Sequence, residues 1–339
     1  MLLQPTSIDT RLRAAWEAAV NASEVSADDV GGLVDAYRQW GPVPARDSVD
    51  DAKLGDALWA SVILARVAFV LPTAGLAVYD ALAADFLDGA PFAFSTRALG
   101  ADAARALREP GSLAPELLPA LWPLIEGGVD PAQITPAVAA LGAAHPVPLR
   151  DAFARAMRAH PGFDRFRAGA PLPRLTLARI EPCPKDSLGH TLYRLIVDND
   201  FDLEVLDPEL VGGYHPELDD VNRYILQAHE IWHLVAGYST SAGHEVAISG
   251  FQLAQFGHPY SRDFLAAIVA LTTFTAPAAA CFVIQLALEG WRHGRETPPL
   301  TLIDWDRLWD EPIERIRDRE AIVPYRSVLP DLPAPSVGT

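Results

Sequence analysis

The sequence is poor in cysteine, which limits both the compartment and the kind of stabilisation expected for the protein. Its 339 residues include two cysteines, Cys183 and Cys281, which lie far apart along the chain. Two distant cysteines do not make the dense disulfide framework of a small secreted domain. We therefore expect a reducing compartment and a fold that depends on an apolar core.

Positive charge is also scarce. The chain has 27 Lys and Arg residues against 44 Asp and Glu residues, a formal net charge of −17. This excess of negative charge argues against a nucleic-acid partner and against docking on anionic lipid through a broad basic surface. Two short arginine-containing segments, 292–295 and 315–319, are the places where a local basic patch could still form.

The first ten residues lack the cationic and apolar character of a cleavable leader. We expect a cytoplasmic location, with peripheral contact at the inner membrane left open. Residues 264–288 carry no charged side chain over 25 positions, enough to span a bilayer on length alone. Because threonines and Pro277 interrupt this run, we interpret it as a buried helix pair broken near Pro277, with a spanning segment as the alternative.

Runs of β-branched residues are scarce, whereas alanine and proline are abundant, which favours helices with proline-marked ends. We predict an all-α fold with three parts. Residues 1–148 form a helical N-terminal region of unknown role, 149–325 a helical metal-binding domain, and 326–339 a disordered tail. We find no internal repeat and no Gly-rich phosphate loop.

The pattern that carries chemistry is His229-Glu230-Ile231-Trp232-His233, followed by Glu245 twelve residues after the second histidine. Two histidines four apart on a helix project about 40° apart, so both imidazoles can reach one ion. We expect Gly237 to end this helix and Gly243 to allow a tight return that brings Glu245 over the pair. Two imidazoles and a carboxylate suit a divalent ion, zinc first, with iron and manganese as alternatives.

A zinc peptidase is the obvious competing interpretation, since Glu230 would then act as the general base of a His-Glu-x-x-His site. Twelve residues to Glu245 is short for a third ligand on a separate helix, and a third histidine is missing from the expected extension. The histidines would otherwise be ordinary surface or core residues. The apolar neighbours Trp232, Leu234 and Val235 favour a metal, which compensates for buried polar groups.

His229, Glu230, His233, eleven intervening residues and Glu245 resemble the metal motif His-Asp-x-x-His-x11-Glu of the ubiquinone (coenzyme Q) biosynthesis protein family Coq-four. The segment 187–193 is similar to that family's Gly-x-x-x-Tyr helix. Residues 291–295, 305 and 311–317 are similar to its C-terminal segment. The likeness covers roughly residues 149–324.

The resemblance implies a role in making or modifying a prenylated quinone. The family is associated with removal of the C1 carboxylate of the prenylated ring precursor, with hydroxylation there, and with organising the biosynthetic complex. An isoprenoid-tailed small molecule and other quinone-biosynthesis enzymes are the implied partners, and a homodimer is compatible with this reading. Glu230 would complete the coordination or move a proton, as the catalytic residue. Trp232 and Tyr238 would border the ring, although such aromatics more often belong to the core.

Two departures from the family leave the reaction open. Glu230 stands where the family has Asp, and its extra methylene changes where the carboxylate reaches. Residues 224–228 lack the family's Arg-Tyr-Arg character, which Arg223 replaces only in part as a substrate-binding candidate. A non-catalytic lipid-binding scaffold and a metal-dependent tailoring enzyme for another apolar acid therefore stay as alternatives.

Overall fold

The computed structural model describes residues 7–22, 24–40, 49–88, 99, 101–127, 131–160, 163, 175–199 and 216–329. Within these ranges the chain is helical, with short 3-10 turns and one isolated antiparallel bridge between Ser187 and Pro312. The predicted all-α class is confirmed. Residues 330–339, most of the predicted tail, lie outside the described residues.

The N-terminal half contributes eight helices to the described part of the chain: α1 (Thr10–Asn21), α2 (Ala27–Gln39), α3 (Asp51–Phe69), α4 (Gly75–Asp88), α5 (Ala101–Leu107), α6 (Leu118–Glu126), α7 (Pro131–Ala143) and α8 (Val147–Met157). The C-terminal half follows with α9 (Leu177–Ile180), α10 (Leu188–Asp198), α11 (Pro216–Ala236), α12 (Ala242–Phe256), α13 (Pro259–Thr275), α14 (Pro277–Glu296) and α15 (Ile313–Glu320).

The uncharged run 264–288 forms parts of two helices, as expected from its proline. Thr275 ends α13 and Pro277 begins α14, where a proline at the first helical position loses no hydrogen bond. Nearly all residues of α13 are buried. In the described ranges no single helix is long and apolar enough to cross a membrane. The pair Asp51–Phe69 and Pro72–Asp88, bent by 113°, meets that test only when taken together.

One apolar core extends through both halves of the chain. α3 packs against α13, and α4 packs against α14. The Tyr37 hydroxyl donates to the Phe274 carbonyl at 3.1 Å, and the Trp16 ring lies edge-on to the Phe274 ring with centroids 6.2 Å apart. The N-terminal region is thus packed on the second region, and the boundary at 148 stays a prediction.

The first of the two arginine segments that offered a local basic patch, 292–295, is partly neutralised by acidic residues of α4. Arg292 pairs with Asp88 at 3.0 Å and Arg295 with Asp80 at 3.2 Å. These pairs tie the end of α14 to α4 instead of presenting free positive charge.

Glycines allow α12 and α14 to approach until their backbones touch. A Cβ atom added at Gly250 would overlap the backbone of Ala287, and one at Gly290 would overlap the backbone of Ala247. At Gly294 an added Cβ would lie 2.7 Å from the Phe251 carbonyl oxygen. Backbone atoms cannot turn aside as a flexible side chain can, so this contact requires glycine.

We predict that Gly290→Ala lowers the free energy of unfolding by roughly 1–3 kcal/mol, the usual cost of overpacking a core. This loss would appear although alanine is the better helix former by about 1 kcal/mol. Urea denaturation gives the measurement. The matched control is Gly31→Ala in α2, where no atom lies within 4 Å of the added methyl group. This control should be neutral or gain up to about 1 kcal/mol, and a wild-type stability for Gly290→Ala would contradict the prediction.

Candidate metal centre

His229 and His233 lie one turn apart on the last part of α11, with side chains 24% and 1% exposed. Their Nε2 atoms are 3.0 Å apart, and the two rings are nearly perpendicular at 84°. The spacing of four therefore brings both imidazoles to one point, as the sequence predicted.

α11 ends where the sequence predicted, at Gly237. This glycine has a φ of +82°, and the backbone N–H groups of Gly237 and Tyr238 both donate to the His233 carbonyl, at 3.1 and 2.9 Å. A Cβ at Gly237 would lie 2.8 Å from the Pro324 side chain. Both the left-handed backbone and the close packing exclude a larger residue here.

Arg317 of α15 secures the same helix end. Its guanidinium donates to the carbonyls of Leu234 at 2.7 Å and Val235 at 2.9 Å. These carbonyls belong to the last turn, which has no intrahelical donors, and a cation there opposes the negative end of the helix dipole. The arginine segment 315–319 thus contributes to holding the histidine helix in place.

Glu245 comes back over the histidines because α12 begins immediately after the turn. Ser241 caps α12 by accepting from the His244 N–H, and Glu245 follows in the first turn. The expectation that Gly243 forms the return is wrong, since Gly243 lies inside α12 and residues 237–241 make the turn. The Glu245 carboxylate lies 3.6 Å from Nε2 of His229 and 3.4 Å from Nε2 of His233.

These three side chains form a site whose donor set fits a divalent ion. One ligand atom from each of His229, His233 and Glu245 lies within 4.8 Å of the others. A tetrahedral zinc ion with bonds of about 2.0–2.1 Å holds neighbouring ligand atoms about 3.3 Å apart, close to the distances seen here. The Glu245 side chain is 41% exposed, so one side of the site is open to a further ligand.

The protonation states of His233 and Glu245 also suit a metal. Burial lowers the pKa of His233, which keeps this imidazole neutral near pH 7. Burial raises the pKa of Glu245, but the hydrogen bond from His229 and the nearby histidine charges outweigh it, so the pKa is lowered overall. The first turn of α12 favours the carboxylate form as well. Lone pairs are thus available on these two ligands without release of protons at pH 7.

A chain of buried polar groups behind His229 was not foreseen. The Gln252 amide nitrogen lies 2.5 Å from Nδ1 of His229, and the Gln252 oxygen accepts from the Ser261 hydroxyl at 3.0 Å. Ser261 in turn lies 2.9 Å from Nδ1 of His258. Burial lowers the pKa of His258 to about 3, so this ring is neutral. Gln252 lies seven residues after Glu245, two helical turns along one face, and that spacing was the available sequence signal.

Metal binding would set which group donates and which accepts in each hydrogen bond behind His229. When His229 offers Nε2 to an ion, its ring proton must sit on Nδ1. We expect the Gln252 amide then to turn by half a rotation, so that its oxygen accepts from Nδ1–H. The amide nitrogen would donate to Ser261, and the Ser261 hydroxyl would donate to the neutral His258.

The other predicted site residues lie around the three ligands. Glu230 is outside the three-residue group, and one of its carboxylate oxygens is buried without a hydrogen-bond partner among the described residues. Its role as ligand or proton carrier stays a prediction. Trp232 is fully buried and stacks on Phe256 with centroids 4.6 Å apart. Arg223 lies in α11, and its side chain is outside the described part.

Tyr238 also lies in the core. Its hydroxyl is 2.6 Å from Nδ1 of His293, and its ring stacks on Tyr325 with centroids 4.5 Å apart. Contact of Trp232 or Tyr238 with a ring substrate stays a prediction, and the packing seen here is the core alternative that the sequence left open.

Residues 129–325 match the family model described as coenzyme Q (ubiquinone) biosynthesis protein Coq4. The chain belongs to the Coq4 family. This confirms the resemblance read from the metal motif, and the match begins ahead of residue 149, so it also includes α7 and α8.

Two curated relatives in the Coq4 family are ubiquinone biosynthesis protein COQ4 homologues, named as mitochondrial. The rat protein (Rattus norvegicus) is 23% identical over 153 residues, 45% of this chain and 57% of its own length. The mouse protein (Mus musculus) is 22% identical over 157 residues, 45% of this chain and 56% of its own length. The chain therefore spans little more than half the length of these relatives.

A solved structure is also similar: a candidate ubiquinone biosynthesis protein from Nostoc punctiforme. It is 22% identical, with a TM-score of 0.49, and the overlay covers 61% of this chain and 97% of that one.

We predict that Gln252→Leu weakens zinc binding about 10- to 100-fold. A ligating histidine that loses its hydrogen-bond partner is no longer held in one ring orientation and one tautomer. Gln252→Glu should retain affinity, since a carboxylate accepts from Nδ1–H. Competition with a chromophoric zinc chelator gives the affinities.

The control for this pair is Gln255→Leu. Gln255 is a buried amide on the same helix that donates to the Gly294 and Thr297 carbonyls instead. The Gln255→Leu variant should be less stable than wild type but should keep the wild-type zinc affinity. Equal affinities for Gln252→Leu and wild type would show that the amide has no part in the site.

Proposed function

We propose that the chain is a metal-dependent protein of prenylated quinone biosynthesis that binds and acts on an isoprenoid-tailed aromatic acid. The observation that carries this proposal is the convergence of His229, His233 and Glu245, with ligand atoms within 4.8 Å, in a member of the Coq4 family. Family membership supports this reading over a zinc peptidase. The open side beside Glu245 is where a substrate oxygen would approach.

The roles of the side chains follow from their positions. His229, His233 and Glu245 would hold the ion, and a bound divalent ion supplies a Lewis acid for the substrate carboxylate or phenolic oxygen. Gln252 orients the His229 ring. Glu230, next to a ligand and with a buried unpaired oxygen, is suited to move a proton. In decarboxylation the bond between C1 and the carboxylate breaks, carbon dioxide leaves, and a proton carried by Glu230 is added at C1.

Zinc is our first choice of ion, and it fits this non-oxidative reaction. Iron or manganese would fit the oxidative form, in which carbon dioxide leaves, one atom of dioxygen becomes a hydroxyl group at the same carbon, and the other atom is reduced to water by two electrons from an external reductant. An isoprenoid tail partitions into lipid, so we also propose that the protein makes peripheral contact with a membrane and works beside other enzymes of the pathway.

The first test is metal content per chain by elemental mass spectrometry, on protein purified without added metal. We expect about one divalent ion per wild-type chain and none in His233→Ala, because that variant removes a buried ligand. Glu230→Gln should retain the ion. Equal loss in both variants would make Glu230 a ligand, and a metal-free wild type would remove the basis of the proposal.

The second test is turnover. A prenylated aromatic acid labelled with carbon-13 in its carboxylate is incubated with the protein, and labelled carbon dioxide is measured with and without oxygen. We expect Glu230→Gln to slow release about 100-fold or more, the typical contribution of a proton-transferring group. Metal-dependent binding of the acid without any release, in wild type, would instead make the protein a carrier.

A further inference from the structure

A second buried charge lies away from the metal centre, on α13. Arg262 is 2% exposed, and its Nε and Nη1 atoms have no hydrogen-bond partner among the described residues. The guanidinium carbon lies 5.0 Å from the centre of the Phe153 ring. A ring face attracts a cation but accepts few N–H hydrogen bonds, so these two donor atoms of Arg262 remain unsatisfied.

This guanidinium borders a cavity of about 180 Å³ between α4, α8 and the α12–α14 pair. Much of the wall is apolar, including Pro72, Leu76, Leu253 and Trp291. Gly75 lies beside the guanidinium, and an added Cβ would be 3.7 Å from Nη2, an ordinary van der Waals distance. The cavity thus combines a planar donor group with a surface suited to a short apolar body.

Two arginines, Arg262 and Arg155, bring positive charge to the cavity. Burial lowers the pKa of Arg262 only to about 10, so it stays protonated at pH 7. The neighbouring Asp263 is fully buried and lies 3.0 Å from Nε2 of His145. Burial lowers the pKa of His160 in the cavity wall to about 4, which makes that ring neutral. Arg155 adds an exposed positive charge at the wall.

We propose that this cavity binds a small organic monocarboxylate with a short apolar body. Its carboxylate would accept two hydrogen bonds from Arg262, whose planar fork matches that geometry. Its apolar part would lie against Leu76 and Leu253. One buried cation in apolar walls can compensate the charge of a monoanion. It cannot compensate both charges of a phosphate dianion, whose desolvation also costs more free energy.

The site is separate from the metal centre although the two share helices. Leu253 directly follows Gln252 on α12, and Arg262 directly follows Ser261 on α13. Consecutive residues of the same two helices therefore belong to the polar chain behind His229 and to the cavity. The side chains of consecutive helical residues point in different directions.

The test is calorimetric titration at pH 7 with hexanoate, its neutral isostere hexanamide, and inorganic phosphate. We expect saturable binding of hexanoate and at least tenfold weaker binding of hexanamide. The same result in His233→Ala separates this cavity from carboxylate binding at the metal centre. Absence of saturable hexanoate binding, equal affinity for hexanamide, or tighter binding of phosphate would each overturn the proposal.

Variants locate the site. Arg262→Met, which keeps the apolar length without the charge, should weaken hexanoate at least tenfold. Arg319→Met, an exposed arginine of α15 outside the cavity, should leave the affinity unchanged. Because Arg262 is buried, its replacement risks misfolding, so Leu76→Trp serves as the second variant: it fills the cavity from a partly buried wall position. Unaltered hexanoate affinity in folded Leu76→Trp would overturn the proposal.

Discussion

The backbone contact between α12 and α14 is the constraint on which the rest of the site depends. Glycines at 250, 290 and 294 let the two helices meet without intervening side chains. α12 carries Glu245 and Gln252 towards the metal centre and Leu253 towards the cavity, so a shift of this helix would move all three. α14 is in turn packed against α4, which links the position of the site to the N-terminal half.

Next to that contact, the side chains of His229, His233 and Glu245 converge on one point, and neighbouring groups hold them in position. The histidine helix is stopped by Gly237 and held at its last carbonyls by Arg317, whereas the carboxylate is placed by the Ser241 cap. The Gln252, Ser261 and His258 chain can fix the His229 ring. Donors, helix ends and supporting groups are consistent with one another, as expected of a site that holds a divalent ion.

Residue spacing was enough to predict some of these features. Four residues between histidines place two imidazoles together in any α-helix, and a glycine after an apolar helical segment predicts its end. Gly243 shows the limit: a glycine that resembled a turn residue lies inside α12, because Ser241 begins that helix earlier. Pattern alone does not tell whether a glycine is needed for backbone conformation or for packing.

The sequence by itself determined the all-α class, the break at Pro277, the histidine pair and the return of Glu245, since these depend on local geometry and short connections. Tertiary structure alone decided that Gln252 lies behind His229, that Trp232 and Tyr238 pack in the core, and that Nε and Nη1 of Arg262 lack a hydrogen-bond partner in the described part of the chain. Those facts depend on contacts between helices distant in sequence. No helical period or composition specifies which side chains of two packed helices face each other.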